Sequence, residues 1–265
     1  MVFKNGAFIF SGEELLTALR KINYARERKS DSVFSGIAIS INISDIEFIA
    51  SNRHRAAIYS VELDYESDDI YDDLTDKIYP LSKETVKQLL KIKKNDTVYM
   101  TIYDDTVEFK TENVKIVDYS EGIYPYYREA IPKEYRNETV VYKKDLLDVL
   151  NDFKDVPTVR RSKEVGNYTY FKLTFDNEND CLIITPYLHD LFKIEPKKIE
   201  IKAGNFYDET VEIYINNVYL KEAVSHVSDS LIKFRYNNSS TPIEISPNMK
   251  HEDLYKAYIM PAVLE

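Results

Sequence analysis

The feature that most constrains this chain is an internal repeat of one helix followed by a run of strands. Helix signals begin near residues 12, 83, 144 and 218, at intervals of about 60 to 75 residues. After each signal the sequence alternates in strand fashion, as in Ile37-Ala38-Ile39-Ser40-Ile41. A unit of this size cannot bury both its helix and its sheet. We therefore expect an α+β fold in which two units share one core, with two helices packed on two antiparallel sheets, twice in the chain.

Local signals place the four helices. Ser11 and Glu14 have the spacing of a capping box before a helix over residues 12–25. The second helix is expected to begin near Ser82 and to bury Val86, Leu89 and Ile92 on one face. The third is expected over residues 144–151. The fourth is expected to end near residue 227, with Asn216 or Asn217 as its cap.

A break in the pattern gives the domain boundary. Pro132 and the charged run that follows it interrupt the alternation between residues 131 and 137. The sequence therefore predicts two domains, over residues 1–132 and 133–265.

Composition excludes several classes of protein. Cys181 is the only cysteine, and the four histidines are scattered without metal-ligand spacing, so we expect neither a metal site nor a cofactor. No apolar run reaches the length of a membrane span and no signal-peptide core is present, which predicts a cytoplasmic protein without a membrane partner. Eight acidic and no basic residues between Glu62 and Asp76 indicate a solvated loop or a long hairpin.

Basic residues gather on the helices although the net charge is -10. At 100° per residue, the second helix would carry a stripe of lysines opposite its apolar face. Such a stripe is either a solvated face or a surface that meets DNA phosphates without reading bases. The residues expected to face DNA are Arg20, Lys21, Lys83, Lys87, Lys91, Lys94, Lys144 and Lys221.

Four separated motifs carry a resemblance. They are the basic island Ala50-Ser51-Asn52-Arg53-His54-Arg55-Ala56, the segment Gly122-Ile123-Tyr124-Pro125-Tyr126-Tyr127 with Ile131-Pro132, the segment Ile215-Asn216-Asn217-Val218-Tyr219-Leu220, and Tyr258-Ile259-Met260-Pro261 near the end of the chain. Alone, the island could be a solvated strand end or a ligand surface. Taken in order and with the repeat, the four motifs resemble those of the bacterial DNA polymerase III beta subunit, the replication sliding clamp. Only the second and third domains of that family have counterparts here.

The resemblance implies a fold, an assembly and a binding site. It implies DNA-clamp domains and a ring around double-stranded DNA. Six domains in a ring would need three chains of two domains, hence a homotrimer. It also implies a pocket for short peptides of the replicative polymerase and the clamp loader. The residues carried over to that pocket are Ser51, Arg53, His54, Arg55, Ala56, Pro125, Arg128, Met260, Pro261, Val263 and Leu264, of which Ala56, Val263 and Leu264 depart from the family pattern.

Two alternatives remain at this stage. One is a monomeric processivity factor that binds DNA through a basic face without closing a ring. The other is an enzyme in which Arg53, His54 and Arg55 bind an anionic substrate. The sequence contains no nucleophile elbow, P-loop or dinucleotide fingerprint, which favours an accessory protein over an enzyme. A two-domain version of a bacterial family suggests a phage, plasmid or divergent bacterial replicon as its source.

Overall fold

The chain divides into two compact units, Met1–Tyr126 (unit 1) and Tyr127–Glu265 (unit 2). The structure is a computed structural model. It describes residues 1–29, 31–64, 67–68, 73–75, 77–103, 106–119, 122–156, 159–162, 166–187, 190, 193–208, 210–248 and 254–263. The boundary expected from the sequence fell after Pro132, whereas residues 127–132 group with unit 2.

Unit 1 contains two α-helices among its described residues; two strands precede the first helix, one strand directly precedes the second, and a run of three strands follows each. Its elements are β1 (Val2–Lys4), β2 (Ala7–Ser11), α1 (Gly12–Ile22), β3 (Ile37–Ile41), β4 (Asp45–Ser51), β5 (Arg55–Glu62), β6 (Ile78–Leu81), α2 (Lys83–Leu89), β7 (Thr97–Tyr103), β8 (Thr106–Lys110) and β9 (Lys115–Tyr119).

The two repeats of unit 1 exchange strands. β2 precedes α1 but pairs with β7, in the sheet β1-β2-β7-β8-β9. β6 precedes α2 but pairs with β3, beside β4 and β5. All of these pairs are antiparallel. Each sheet of unit 1 therefore combines strands from both repeats, and neither repeat can complete a sheet alone.

Unit 2 has a similar plan. Its elements are β10 (Asn137–Tyr142), α3 (Lys143–Asp152), β11 (Val159–Ser162), β12 (Gly166–Tyr168), β13 (Tyr170–Asp176), β14 (Cys181–Pro186), β15 (Lys197–Glu200), β16 (Ala203–Asn205), β17 (Thr210–Asn216), α4 (Asn217–His226), β18 (Leu231–Tyr236), β19 (Ile243–Pro247) and β20 (Tyr255–Ile259). The short strands β11, β12 and β16 are additional. β10 pairs with β18, and β17 pairs with β13, so the exchange recurs. The predicted α+β architecture is confirmed.

The first helix shows how local chemistry fixes an element. The Ser11 hydroxyl accepts a hydrogen bond from the Glu14 N–H at 3.2 Å, and the Glu14 carboxylate accepts one from the Ser11 N–H at 2.9 Å. This predicted capping box satisfies N–H groups that have no partner within the helix. The helix buries Leu15, Leu16, Leu19 and Ile22, and it packs on β2, β4 and β5.

Aromatic and aliphatic side chains fill the core of each unit. In unit 1, the Phe10 and Phe48 rings meet edge to face at 5.9 Å. In unit 2, the Phe175 and Tyr236 rings stack at 4.0 Å. The buried Tyr236 hydroxyl is paired with the Thr139 hydroxyl at 2.9 Å, so the polar end of the ring is satisfied inside the core. Helices α3 and α4 contact each other within unit 2.

The second helix is shorter than the sequence predicts. It ends at Leu89, and the hydrogen bonds that follow span three residues instead of four. The Lys91 N–H donates to the Gln88 carbonyl at 3.0 Å and the Ile92 N–H to the Leu89 carbonyl at 3.1 Å. These three-residue spacings mark the end of an α-helix. The prediction that Lys91 and Lys94 lie on the same helix as Lys83 was therefore wrong.

The turn after α2 is fixed by a close backbone approach to α1. The Gly12 N–H donates to the Asp96 carbonyl at 2.7 Å. A Cβ atom at Gly12 would lie 2.0 Å from the Lys93 carbonyl oxygen, so only glycine fits. The turn that follows α2 therefore packs directly against the first residue of α1.

Part of the acidic segment lies outside the described residues, namely 65–66, 69–72 and 76. The described residues of that segment are anchored to β1. The Phe3 N–H donates to the Ser67 hydroxyl, and the Asp68 N–H donates to the Phe3 carbonyl. The acidic segment, which was expected to be a solvated loop or hairpin, is thus held against β1 at Ser67 and Asp68. Within the described residues, no helix is long and apolar enough to cross a membrane.

Candidate functional site

The basic island is a tight turn between β4 and β5. The Asn52 side-chain oxygen accepts hydrogen bonds from the N–H groups of His54 and Arg55, at 3.2 and 3.1 Å. The Ser51 hydroxyl accepts from the Arg53 N–H at 3.1 Å and donates to the Arg55 carbonyl at 2.9 Å. Ser51 and Asn52 therefore shape the turn, and they leave Arg53 and His54 exposed at its tip.

Arg53 has an uncommon backbone conformation. Its φ is 73°, which lies in the left-handed region. Residues other than glycine, asparagine and aspartate rarely adopt this conformation. Its guanidinium carbon lies 5.1 Å from the centre of the Phe34 ring. The Phe34 ring in turn packs against the Tyr124 ring at 5.3 Å. Arg53, Phe34 and Tyr124, which we call the aromatic-guanidinium stack, thus contact one another in sequence from the exposed turn to the buried Tyr124.

Arg55 has a different role from its neighbour. It is only 8% exposed, and its guanidinium donates a 2.6 Å hydrogen bond to the Tyr24 carbonyl. The guanidinium carbon also lies 5.0 Å from the centre of the Tyr24 ring. Arg55 therefore ties the exit of α1 to the β4–β5 turn, and it points into unit 1 instead of presenting a charge to a ligand.

A second arginine stabilises the same segment. The Arg26 guanidinium donates to the Ser35 carbonyl at 2.6 Å, and the Glu27 N–H bonds to the Phe34 carbonyl at 2.9 Å. Burial, with the nearby charge of Arg28, lowers the pKa of Arg26. These bonds fold the chain back after α1 and thereby position Phe34 for the aromatic-guanidinium stack.

Two other predicted pocket residues lie in unit 1. Ala56 is half-buried and pairs with Ser51 across the β4–β5 ladder. Pro125 is exposed, and it follows the buried Tyr124. The structure thus places Pro125 next to a residue of the aromatic-guanidinium stack along the chain.

The remaining predicted pocket residues belong to unit 2. Arg128 lies in a short 3₁₀ turn, where its Nε donates to the Tyr127 hydroxyl at 3.1 Å. Met260 follows β20 and is 40% exposed, and Val263 is 78% exposed. Between them comes the half-buried Pro261, and the Ala262 N–H then bonds to the Tyr214 carbonyl at 2.8 Å, which holds this tail against β17. Leu264 lies outside the described residues.

The residues predicted to face DNA differ in whether their side chains already pair with other side chains of the protein. Three lysines of unit 1 meet carboxylates: Lys83 meets Asp31 at 3.6 Å, Lys87 meets Glu84 at 3.6 Å, and Lys94 meets Glu13 at 2.8 Å. These pairs are largely exposed and therefore weak. Arg20 and Lys21 lie in the last turn of α1, Lys91 and Lys144 are exposed, and Lys221 donates to the Asn151 side chain at 2.7 Å.

Sequence reasoning missed Phe34 and Tyr124 as parts of the candidate site. Tyr124 lies inside the second of the four motifs, but only its neighbour Pro125 was assigned a role. No motif contained Phe34. Its signal was indirect, because an aromatic residue between two polar stretches, Ser30-Asp31-Ser32 and Ser35-Gly36, is unusual for a fully solvated loop.

Comparisons with known proteins agree with the fold. No protein-family model matches the sequence. The beta sliding clamp of Synechococcus elongatus is 21% identical over 250 residues, which cover 93% of this chain and 63% of that protein. The sliding clamp of Pseudomonas aeruginosa superimposes with a TM-score of 0.78 at 14% identity, over 97% of this chain and 66% of that one. The beta subunit from the DNA polymerase of Streptococcus pyogenes gives 0.76 at 16% identity, over 100% and 67%.

The fold is that of the DNA sliding clamps. More particularly, the chain is similar to the DNA polymerase III beta subunit, and the resemblance predicted from the four motifs is confirmed. The chain spans just under two thirds of the length of the curated relative. One structure with this fold is a Pseudomonas aeruginosa clamp bound to griselimycin, with a TM-score of 0.75 at 15% identity over 97% of this chain and 65% of that one.

Proposed function

We propose that the protein is a DNA sliding clamp that encircles duplex DNA as a homotrimer and tethers a replicative polymerase and a clamp loader through short peptides. The observation that carries the proposal is the match of nearly the whole chain to beta sliding clamps in both sequence and fold. In this role the protein is an accessory subunit. It keeps the polymerase on DNA because the ring encloses the duplex, and it carries out no chemical step. It would work in the cytoplasm, on DNA of any sequence.

A ring of identical chains needs two different contact surfaces on each chain, because its subunits meet head to tail. Strand β9 ends a sheet of unit 1, and strand β15 ends a sheet of unit 2. An edge strand offers unpaired N–H and C=O groups to another chain. β9 itself carries two exposed apolar side chains: Tyr119 is 73% exposed and Val117 is 36% exposed. These features support β9 as one half of a contact between copies.

The oligomeric state separates the ring from the monomeric alternative. Three chains of 31.0 kDa predict a particle of about 93 kDa by light scattering after size exclusion. Tyr119→Asp should shift the mass toward that of one chain, because it places a charge beside the β9 edge. Tyr207→Asp is the matched control, since Tyr207 is 81% exposed in unit 2. A single-chain mass for the unmodified protein at micromolar concentration would contradict the ring.

The DNA contact is tested by charge reversal. Changing Lys83, Lys87 and Lys91 together to Glu should weaken retention on circular DNA. It should also lower the slope of log affinity against log salt by about 0.9 for each lysine that contacts a phosphate. A control with the same change in charge reverses the exposed Lys4, Lys110 and Lys133. Equal losses in both variants would mean that only the net charge matters.

The peptide site is tested at the end of the chain. Deleting residues 260–265 removes Met260, Pro261 and Val263, and it should abolish binding of a labelled polymerase tail peptide while the assembly mass stays the same. Griselimycin offers an independent probe, because it is bound in a Pseudomonas aeruginosa clamp of the same fold. Unchanged peptide affinity after the deletion would remove these residues from the site.

A further inference from the structure

We propose that the buried carboxylate of Asp118, on β9, takes its counter-ion from another copy of the chain, namely from Lys197 on β15. The inference rests on the proposed ring, and it names the strand and the side chain of the next copy that complete the contact at β9. It concerns a charged group for which neither the proposed peptide site nor the proposed DNA surface has a use.

Asp118 is a buried charge without a charged partner. It is 4% exposed, and its Oδ2 accepts hydrogen bonds from the Ser82 N–H at 2.8 Å and from the Ser82 hydroxyl at 2.9 Å. These donors are neutral, and among the described residues no basic side chain lies within ion-pair distance of Asp118. A buried carboxylate is normally paired with a cation, because removing its charge from water is costly. Asp118 therefore lacks a counter-ion within the described part of its own chain.

Asp118 lines a cavity of about 510 Å³ beside the end of β9. The other charged residues of the lining are Asp31, Lys83 and Glu84, so acidic side chains outnumber basic ones by three to one. Lys83 lies 3.6 Å from the exposed Asp31, so this one cation already meets a carboxylate at the rim. The cavity thus has the room and the net charge to accept one more basic side chain.

Lys197 has the position that such a contact needs. β15 is an edge strand of its sheet, as β9 is of its own. On β15, Lys197 pairs across the ladder with the buried Ile184, so it lies on the inward face of the sheet. On β9, Asp118 pairs with the buried Val107 and is also inward. Lys197 donates to Asp152 at 3.3 Å, but this pair is largely exposed and weak, so Lys197 can leave it for a buried carboxylate at little cost.

The pattern of the two strands selects one register. If β15 of the next copy continues the sheet of unit 1, the inward residues of the two strands lie opposite each other. Antiparallel pairing, as in the β8–β9 and β14–β15 ladders, then sets Ile116 opposite Ile199 and Asp118 opposite Lys197. A shift by two residues in either direction would set one of the two charges against an isoleucine. The register that joins opposite charges and also joins two aliphatic side chains is therefore favoured.

The outward residues are compatible with this register, since it sets Lys115 opposite Glu200. Each of these residues already has an ion pair in its own unit, Lys115 with Glu108 at 2.8 Å and Glu200 with Lys202. Because these outward charges are solvated, their pairing across two copies adds little. The inward pair of Asp118 and Lys197 therefore carries the preference for this register.

The test isolates a single contact between two copies. One chain, the β15-blocked chain, carries Lys197→Glu and Lys198→Glu, and the other, the β9-blocked chain, carries Tyr119→Asp. Each should run alone as a single chain of 31.0 kDa, whereas their mixture should form a dimer of about 62 kDa. This dimer uses β9 of the β15-blocked chain and β15 of the β9-blocked chain. Fluorescence anisotropy of one labelled chain, titrated with the other, gives the dissociation constant.

Asp118→Asn in the β15-blocked chain keeps the acceptor for Ser82 but removes the charge. It should raise the dissociation constant about five- to tenfold, and so should Lys197→Gln in the β9-blocked chain. With both changes the loss should be no larger than with either one, because both remove the same pair. Lys198→Gln in the β9-blocked chain is the matched control. It removes the neighbouring charge on the outward face and should change the constant by less than about twofold.

The outcomes separate this inference from the proposed function. If the two losses multiply, or if Lys198→Gln costs as much as Lys197→Gln, the pair does not form and the inference is wrong, while the ring stands. If the β15-blocked chain assembles by itself, or if the two blocked chains stay apart although the unmodified chain forms trimers, β15 is not the partner of β9. If the unmodified chain remains single in solution, the proposed ring fails and the inference fails with it. Thermal unfolding of each variant alone verifies that the fold is retained.

Discussion

Replacing Arg55 by methionine tests whether the basic island is partly an internal support. The change keeps most of the stem but removes the guanidinium, and with it the 2.6 Å hydrogen bond to the Tyr24 carbonyl and the contact with the Tyr24 ring. A hydrogen bond to a charged group contributes about 1.5 to 3 kcal/mol, and a partly desolvated cation–π contact adds about 1 kcal/mol. Because methionine regains some of this by burying its thioether, we expect a loss of about 2 to 4 kcal/mol.

Thermal unfolding followed by circular dichroism provides the measurement. For a domain the size of unit 1, each kcal/mol corresponds to about 4 °C in Tm, so Arg55→Met should lower the transition of that unit by about 8 to 16 °C. Arg53→Met is the matched control, since it removes an exposed guanidinium with one surface ring contact and should shift Tm by about 4 °C or less. Equal shifts in the two variants would refute the assignment of Arg55 as an internal tie.

Three further changes test other parts of the structure. Gly12→Ala should destabilise unit 1 by about 1 to 3 kcal/mol in urea unfolding, because the added methyl group meets the Lys93 carbonyl; an unchanged midpoint would contradict that close approach. Asn216→Ala should cost about 1 kcal/mol by removing the α4 cap, with Asn216→Asp as the conservative control. The hydrogen bond from Lys172 lowers the pKa of Glu212. The pair therefore stabilises the protein at pH values above the ordinary pKa of a carboxyl group, and this stabilisation is lost as the pH falls through the lowered pKa. Glu212→Gln should therefore reduce stability at pH 7 by less than about 1 kcal/mol, since the pair is partly exposed, and urea midpoints should converge with those of the unmodified protein in acid.

Local chemistry made much of the fold predictable. The capping box at Ser11, the cap at Asn216 and the alternation of β3 are short-range signals, and each led to the element that the structure contains. Among the strands that were not predicted, β1 and β16 have three residues each, which are too few for alternation to be recognised. The early end of α2 was not predicted, and neither was the contact of the following turn with Gly12, which lies 81 positions before Lys93 in the sequence.

The exchange of β2 and β6 could not be read from the sequence. Alternation tells which side chains share a face of a strand, but it does not identify the neighbouring strand. The roles of the two arginines were partly readable. Both were assigned to the pocket, although Arg55 has the same parity as the buried Ala57 on β5 and Arg53 precedes the strand. The ring beneath Arg53 comes from Phe34, a contact that only the folded chain brings about.

The strand exchange also sets the order in which unit 1 can form during synthesis. β2 leaves the ribosome early, yet its partner β7 begins only at Thr97. Within its own repeat β2 pairs only with the three-residue β1, so its other edge stays exposed until nearly all of unit 1 has emerged. Pairing at such sequence separation slows folding. A nascent chain stalled before Thr97 should therefore be captured by chaperones and cut by proteases, whereas one released beyond Tyr119 and clear of the exit tunnel should resist both.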